Sequence, residues 1–139
     1  MTDKHISLEE RKALARDLHA RGYNCAQSVA QCFSDVCAMA PDALAAATIG
    51  LGGGVGGTGE ICGVVTAMSV VEGAAAGPDP KNKGAVYKMV RCDSDAFSAK
   101  NGGCVRCRDL KRPGAARSCD MLIADGVEIL YNRFFPGAE

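Results

Sequence analysis

The sequence predicts an all-α fold, a single domain of five to seven helices around a buried central helix. Three observations carry this. The apolar residues recur at helical rather than alternating spacing. Good N-caps stand just ahead of those runs, at Ser7, Asn24 and Ser118. Breaks rich in glycine and proline separate the runs, at Gly50–Gly59, Gly77–Pro80, Gly102–Gly103 and Pro113–Gly114.

Each element follows from its own signals. Ser7-Leu8-Glu9-Glu10 reads as a capping box that opens the first helix, and Gly22 closes it. Asn24 opens a second helix with the inward stripe Cys25, Val29, Cys32, Phe33 and Val36. Pro41 suits the first turn of a third, running through the alanine-rich stretch Asp42 to Thr48. Glu60 to Val71 is apolar nearly all round and reads as the buried central helix; its valines leave a buried strand as the alternative. Asp79-Pro80 starts a fifth helix with Val86, Met89, Val90 and Phe97 inward. The last helix begins near Ser118, with the stripe Cys119, Leu122, Ile123, Gly126, Val127 and Leu130, and Gly126 lets a neighbouring helix approach closely. One domain, residues 1–139, is expected, with a glycine-rich loop at 50–59.

Charge narrows the function classes. Lys+Arg and Asp+Glu number 16 each, so no excess of cations is available to neutralise phosphates, and nucleic acid is not expected as a partner. The polar start Met-Thr-Asp-Lys-His carries no secretory pattern. The most apolar stretch, Gly63 to Gly77, is interrupted by Glu72 and is too short to span a bilayer. The expected compartment is the cytoplasm, without a membrane span.

Cysteine stands out against that background. There are 8: Cys25, Cys32, Cys37, Cys62, Cys92, Cys104, Cys107 and Cys119. In a reducing compartment so many thiols point to redox work or metal binding rather than to a disulfide framework. Cys25, Cys62 and Cys119 each fall in the first turn of a predicted helix, where unpaired N–H groups and the helix dipole favour a thiolate. Three such ends facing one core would bring their sulfurs together; equally, all three would serve as small core residues. Cys104-Val105-Arg106-Cys107 is a CxxC, a redox dithiol or half of a metal site, and Arg106 and Arg108 beside it would favour thiolate. There is no CxxCH, so no covalent haem is expected. GxGxxG occurs twice in the glycine tract but lacks the preceding strand that a dinucleotide site needs. A conformational role fits better, with successive amides wrapping a sulfur beside Cys62. His5 and His19 read as surface residues. Cys32, Cys37 and Cys92 read as core or lightly buried thiols, and Tyr87, Tyr131, Phe134 and Phe135 as packing.

These residues resemble a known family. Tyr23-Asn24-Cys25-Ala26-Gln27-Ser28-Val29, the glycine tract, Cys62-Gly63-Val64-Val65-Thr66-Ala67, Cys107-Arg108-Asp109-Leu110 and Cys119 are similar, in this order, to the C-GCAxxG-C-C family, which is credited with redox activity. The family carries four characteristic cysteines and a CGAxxG signature. Val64 stands where the family has Ala, and Ala67 where it has Gly. The resemblance implies Cys25, Cys62, Cys107 and Cys119 as the site. Its kinship with part of the split-Soret cytochromes implies an iron–sulfur option, of which only the cysteine part can transfer here.

Three readings follow. In the first, the four cysteines perform thiol–disulfide exchange or electron transfer with a redox partner protein or a small thiol or disulfide, as a possible oxidoreductase. Cys62 is expected to be the attacking thiolate. In the second, the same four sulfurs hold an iron–sulfur cluster or zinc. In the third, the chain is a non-catalytic helical interaction module, compatible with a homodimer.

Overall fold

The computed structural model describes residues 5–114 and 117–138. The polar start at residues 1–4 lies outside them. The described chain is all-α: α1 (Leu8–Ala20), α2 (Cys25–Gln31), α3 (Ser34–Cys37), α4 (Pro41–Thr48), α5 (Gly63–Ala76), α6 (Lys83–Lys100), α7 (Cys107–Leu110) and α8 (Cys119–Phe134). Six of these are real helices, and α3 and α7 are single turns of four residues. The β pairing among the described residues is one antiparallel bridge, Ile61 to Arg106.

The local signals act as their chemistry predicts. Ser7 Oγ accepts from the Glu10 amide at 3.1 Å, while the Ser7 amide donates to Glu10 Oε1 at 2.9 Å. Asn24 and Gln27 form a second reciprocal box at α2. Ser118 Oγ accepts from the Met121 amide at 3.2 Å to open α8. Pro41 occupies the first position of α4. Asp79-Pro80 opens a short 3-10 turn, Pro80–Asn82, and α6 follows it.

The second helix ends earlier than its stripe predicts. Arg11 of α1 is 0% exposed and donates to the Cys32 carbonyl at 2.8 Å. The chain tightens there, with the Cys32 and Phe33 amides donating three residues back to the Val29 and Ala30 carbonyls at 3.2 and 3.1 Å, and resumes as α3. The Arg11 guanidinium also forms a bidentate pair with Asp35, at 2.8 and 2.7 Å, and lies against the rings of Phe33 and Phe135. His5 is exposed, as expected of a surface residue, and also has partners: its Nε2 lies 2.7 Å from the Tyr131 hydroxyl, and its ring meets Phe135 edge-on. His19 lies 2.7 Å from Asp120.

The segment after the glycine tract is the helix α5, not a strand, and it is central: α2, α3, α6 and α8 all pack on it. A β-carbon at Gly126 would collide with Val64, so the absence of a side chain lets α8 lie directly on α5. Gly63 does the same for α2, since a β-carbon there would sit 2.5 Å from Cys25 Sγ. These two contacts set the positions of three helix starts: α2, α5 and α8. On α6, Phe97 is buried as expected, but Val86, Met89 and Val90 are only half-buried, and Tyr87 is 58% exposed rather than packed.

Candidate functional site

The starts of α2, α5, α7 and α8 converge on one small cavity. Cys25, Cys107 and Cys119 are each the first residue of their helix, and Cys62 is the N-cap of α5. All four line the same hollow of about 50 Å³, together with Gly53, Leu110, Lys111 and Leu122. The volume exceeds that of a single water site but is too small for an organic substrate. The four thiols are free in this structure. Cys62 is sealed, at 3% exposure; the other three are half-buried.

Two backbone devices hold the sulfurs there. Beside the Ile61–Arg106 bridge, the Cys62 amide donates to the Val105 carbonyl at 2.8 Å and the Cys107 amide to the Glu60 carbonyl at 2.7 Å. Cys62 and Cys107 are thereby clamped on neighbouring strands of chain. The glycine tract supplies the second device. Gly54 has φ +77°, and a β-carbon there would meet the Glu60 backbone at 2.6 Å and Cys107 Cβ at 2.8 Å. Only glycine lets the loop pass that close. The tract's amide contribution goes to Cys25, whose sulfur accepts from the Gly53 amide, rather than to Cys62 as the sequence suggested.

Electrostatics reverse the expectation for Cys62. Burial pushes its thiol up to about 12. The Val64 and Val65 amides at the start of α5 pull the other way, and the Cys25 and Cys107 sulfurs add to the rise. Desolvation outweighs the helix end here, so Cys62 rests as a neutral thiol rather than a poised thiolate. Cys25 is raised for the same first reason, burial; the Gly53 and Ala26 amides oppose it, and the Cys119 and Cys107 sulfurs add to it. Among the described residues, no group of three or more His, Cys, Asp or Glu side chains stands in an arrangement that could hold a metal ion.

The CxxC divides between two places. Cys107 faces the four-thiol cavity. Cys104 lines a separate hollow with Lys100, Asn101, Asp109, Arg112 and Arg117. Arg106 between them is extended, φ −89° and ψ 135°. In this conformation the two thiols are both free and open into different hollows. Arg106 and Arg108 do not serve the thiols either; both pair with Glu60, at 2.9 and 2.7 Å. Of the remaining cysteines, Cys32 and Cys37 are core thiols, pushed by burial to about 12 and about 11. Cys92 is exposed on α6, contrary to its expected light burial. Sequence reasoning missed Lys111, the charged side chain lining the cavity, whose Nζ donates to the Arg117 carbonyl at 2.8 Å. Its sequence signal was its place one helical turn after Cys107.

Fold and site together define an all-α protein built around a pocket of four thiols. The chain belongs to the family described as "Putative redox-active protein (C_GCAxxG_C_C)", whose profile matches residues 23–133. No curated protein and no solved structure matches the chain. No helix among the described residues is long and apolar enough to cross a membrane.

Proposed function

We propose that the protein is a cytoplasmic thiol–disulfide redox protein that works through Cys25, Cys62, Cys107 and Cys119. The observation that supports this best is that these four cysteines, alone among the eight, line one cavity from four helix starts. Sulfurs that share so small a volume can exchange bonds with each other, whereas a lone buried thiol cannot.

The geometry gives the thiols different tasks. Cys62 is sealed and neutral, so an incoming disulfide meets a half-buried thiol first. We assign that step to Cys119, at the start of the sixteen-residue α8. Its thiolate attacks one sulfur of a substrate disulfide RS–SR′; the mixed disulfide Cys119–SR forms, the substrate S–S bond breaks, and R′S⁻ leaves. Cys25 loses its proton to the departing thiolate and attacks Cys119 Sγ. The Cys25–Cys119 bond forms, and RS⁻ is released. Two thiols are oxidised, one disulfide is reduced, and the two protons end on the products. Cys62 and Cys107, clamped together by the bridge, constitute the second dithiol. The cavity itself excludes an organic substrate, so the reaction takes place at its rim with a partner protein's disulfide or a small disulfide.

A second reading keeps the same four sulfurs as ligands of zinc or an iron–sulfur cluster, because four thiolates are the donor set those groups take. The sulfurs would have to close on the ion from their present positions. One experiment tests both. The protein is purified without oxygen, assayed for iron, zinc and labile sulfide, then treated with a small disulfide and mapped by peptide mass spectrometry. The redox reading expects a metal-free protein and a Cys25–Cys119 crosslink. Stoichiometric metal would replace it with the ligand reading, and metal-free protein with all four thiols unreacted would end both.

A further inference from the structure

The face of α6 that points away from the cysteine cavity carries a second kind of function. In an eighteen-residue helix, Asp93 and Phe97 are the buried residues. Val86, Met89 and Val90 are half-covered, and Tyr87 is 58% exposed. Val86 separates two hollows. One, of about 430 Å³, runs over Ser69, Tyr87 and Val90. The other, of about 230 Å³, runs over Ala76, Met89 and Phe134. Together they form a concave apolar groove between α5, α6 and the end of α8.

Glu72 and Arg133 line the smaller hollow as an ion pair, while the exposed charge along this part of α6 is mostly cationic. Lys81, Lys83, Lys88 and Arg91 are all exposed, and Arg91 lines the larger hollow. None of the four makes an ion pair with a described residue, whereas eight other Lys and Arg side chains do. The exposed acids on this stretch are Asp79, which caps the turn before α6, and Asp95. In a chain of zero net charge this is a local excess of cations on α6 and the turn before it, of which Arg91 lines the groove itself. Like charges left unpaired repel each other, and an acidic partner relieves that repulsion.

We propose that the α5–α6 groove docks an amphipathic helix of a partner protein that presents apolar side chains between rows of Asp and Glu. The concave shape takes projecting side chains, which fill hollows that a flat lipid surface leaves empty. A second copy of this chain fits poorly, because a two-fold contact would bring two cationic patches of the same surface together. The groove and the thiol pocket lie toward opposite ends of α5, so docking here leaves the cysteines open.

The test uses the full chain and fluorescein-labelled eighteen-residue helical peptides, with Leu and Phe on one face flanked by Glu, or by Lys in the control. Fluorescence anisotropy should show the Glu peptide binding at least about tenfold more tightly than the Lys peptide, with a strong loss on adding salt. The surface variant K83E/K88E/R91E should invert that preference, and Val86→Glu should abolish binding of both. The charge variant changes exposed side chains only, so it stays informative if Val86→Glu fails to fold. Equal binding of the two peptides, or no binding of either at about 100 μM, would overturn the proposal. So would self-association that Val86→Glu abolishes, or binding of phosphatidylserine vesicles in preference to the Glu peptide.

Discussion

The two ends of α5 bury ionisable groups in opposite ways. At its start, the cavity holds four thiols, and the most deeply buried of them, Cys62, is simply kept neutral. Toward its other end, Glu72 and Asp93 are each 3% exposed and face one another beneath α8. Burial, followed by the hydrogen bond and charge of Glu72, raises the Asp93 carboxyl to about 8, while Arg133 opposes the rise. Glu72 Oε2 and Asp93 Oδ2 have no N–H or O–H donor from another residue. A proton held on Asp93 joins the two carboxyl groups and removes that deficit. The Arg133 guanidinium then answers the one remaining charge, at 3.3 Å from Glu72 Oε1. A thiol has an ordinary pKa high enough to be buried neutral at little cost. A carboxyl must be supplied with both a proton and a counter-ion. The thiol end can therefore be reactive without being unstable, whereas the carboxyl end is a structural commitment.

The largest effect should come from breaking the carboxyl end. Arg133→Met strands the buried Glu72 charge and should cost about 3 kcal/mol in chemical denaturation. Adding Glu72→Gln and Asp93→Asn to that variant should restore much of the loss. If R133M is neutral on its own, Arg133 is not the counter-ion described.

At the thiol end, Gly63→Ala places a methyl group against Cys25 Sγ and should cost about 1–3 kcal/mol. It should also lower the yield of the Cys25–Cys119 crosslink. Unchanged stability together with unchanged crosslinking would contradict the tight contact between α2 and α5.

The two ends should also separate on the pH axis. Asp93 has a folded pKa above its unfolded one, so its protonated form stabilises the fold. That stability is complete below about 4 and is lost as pH rises through about 8. The slope within the window is at most about 1.4 kcal/mol per pH unit, and Asp93→Asn should flatten it. Cys62 obeys the same sign in a higher window: its contribution is intact below about 9 and disappears toward about 12. Cys25, Cys32 and Cys37 share that higher window, so Cys62→Ser should shrink the second limb and leave the first intact. A single limb common to both variants would refute the assignment.

The smallest expected effect is at Cys104. Cys104→Ser should leave the oxidised crosslink pattern as it was, because Cys104 lies outside the four-thiol cavity. Cys119→Ser should abolish the mixed disulfide under the same conditions. Peptide mapping of the two variants, side by side, distinguishes a cysteine outside the cavity from one that lines it.

What the sequence made legible was local. The capping boxes at Ser7 and Asn24, Pro41 at a first turn and the small residue at Gly126 each act within one helix or at one contact. The helix-start positions of Cys25, Cys62 and Cys119 were legible for that reason; Cys107 joined the set only through the resemblance. What was hidden depends on residues far apart in the chain. The guanidinium that bonds the Cys32 carbonyl comes from α1, and the acid pair with its arginine is assembled from α5, α6 and α8. The pKa of Cys62 was misread because the helix-end effect is visible in sequence whereas desolvation is a property of the finished core.

The Cys25–Cys119 pairing has a consequence for the molecule as a whole. Its bond would close a ring of chain that takes in nearly every helix. A closed loop of about 100 residues restricts the unfolded chain enough to contribute about 4–5 kcal/mol. The protein would then carry its redox history as heat tolerance: melting late when oxidised and early when reduced, a record readable by calorimetry without knowledge of its substrate.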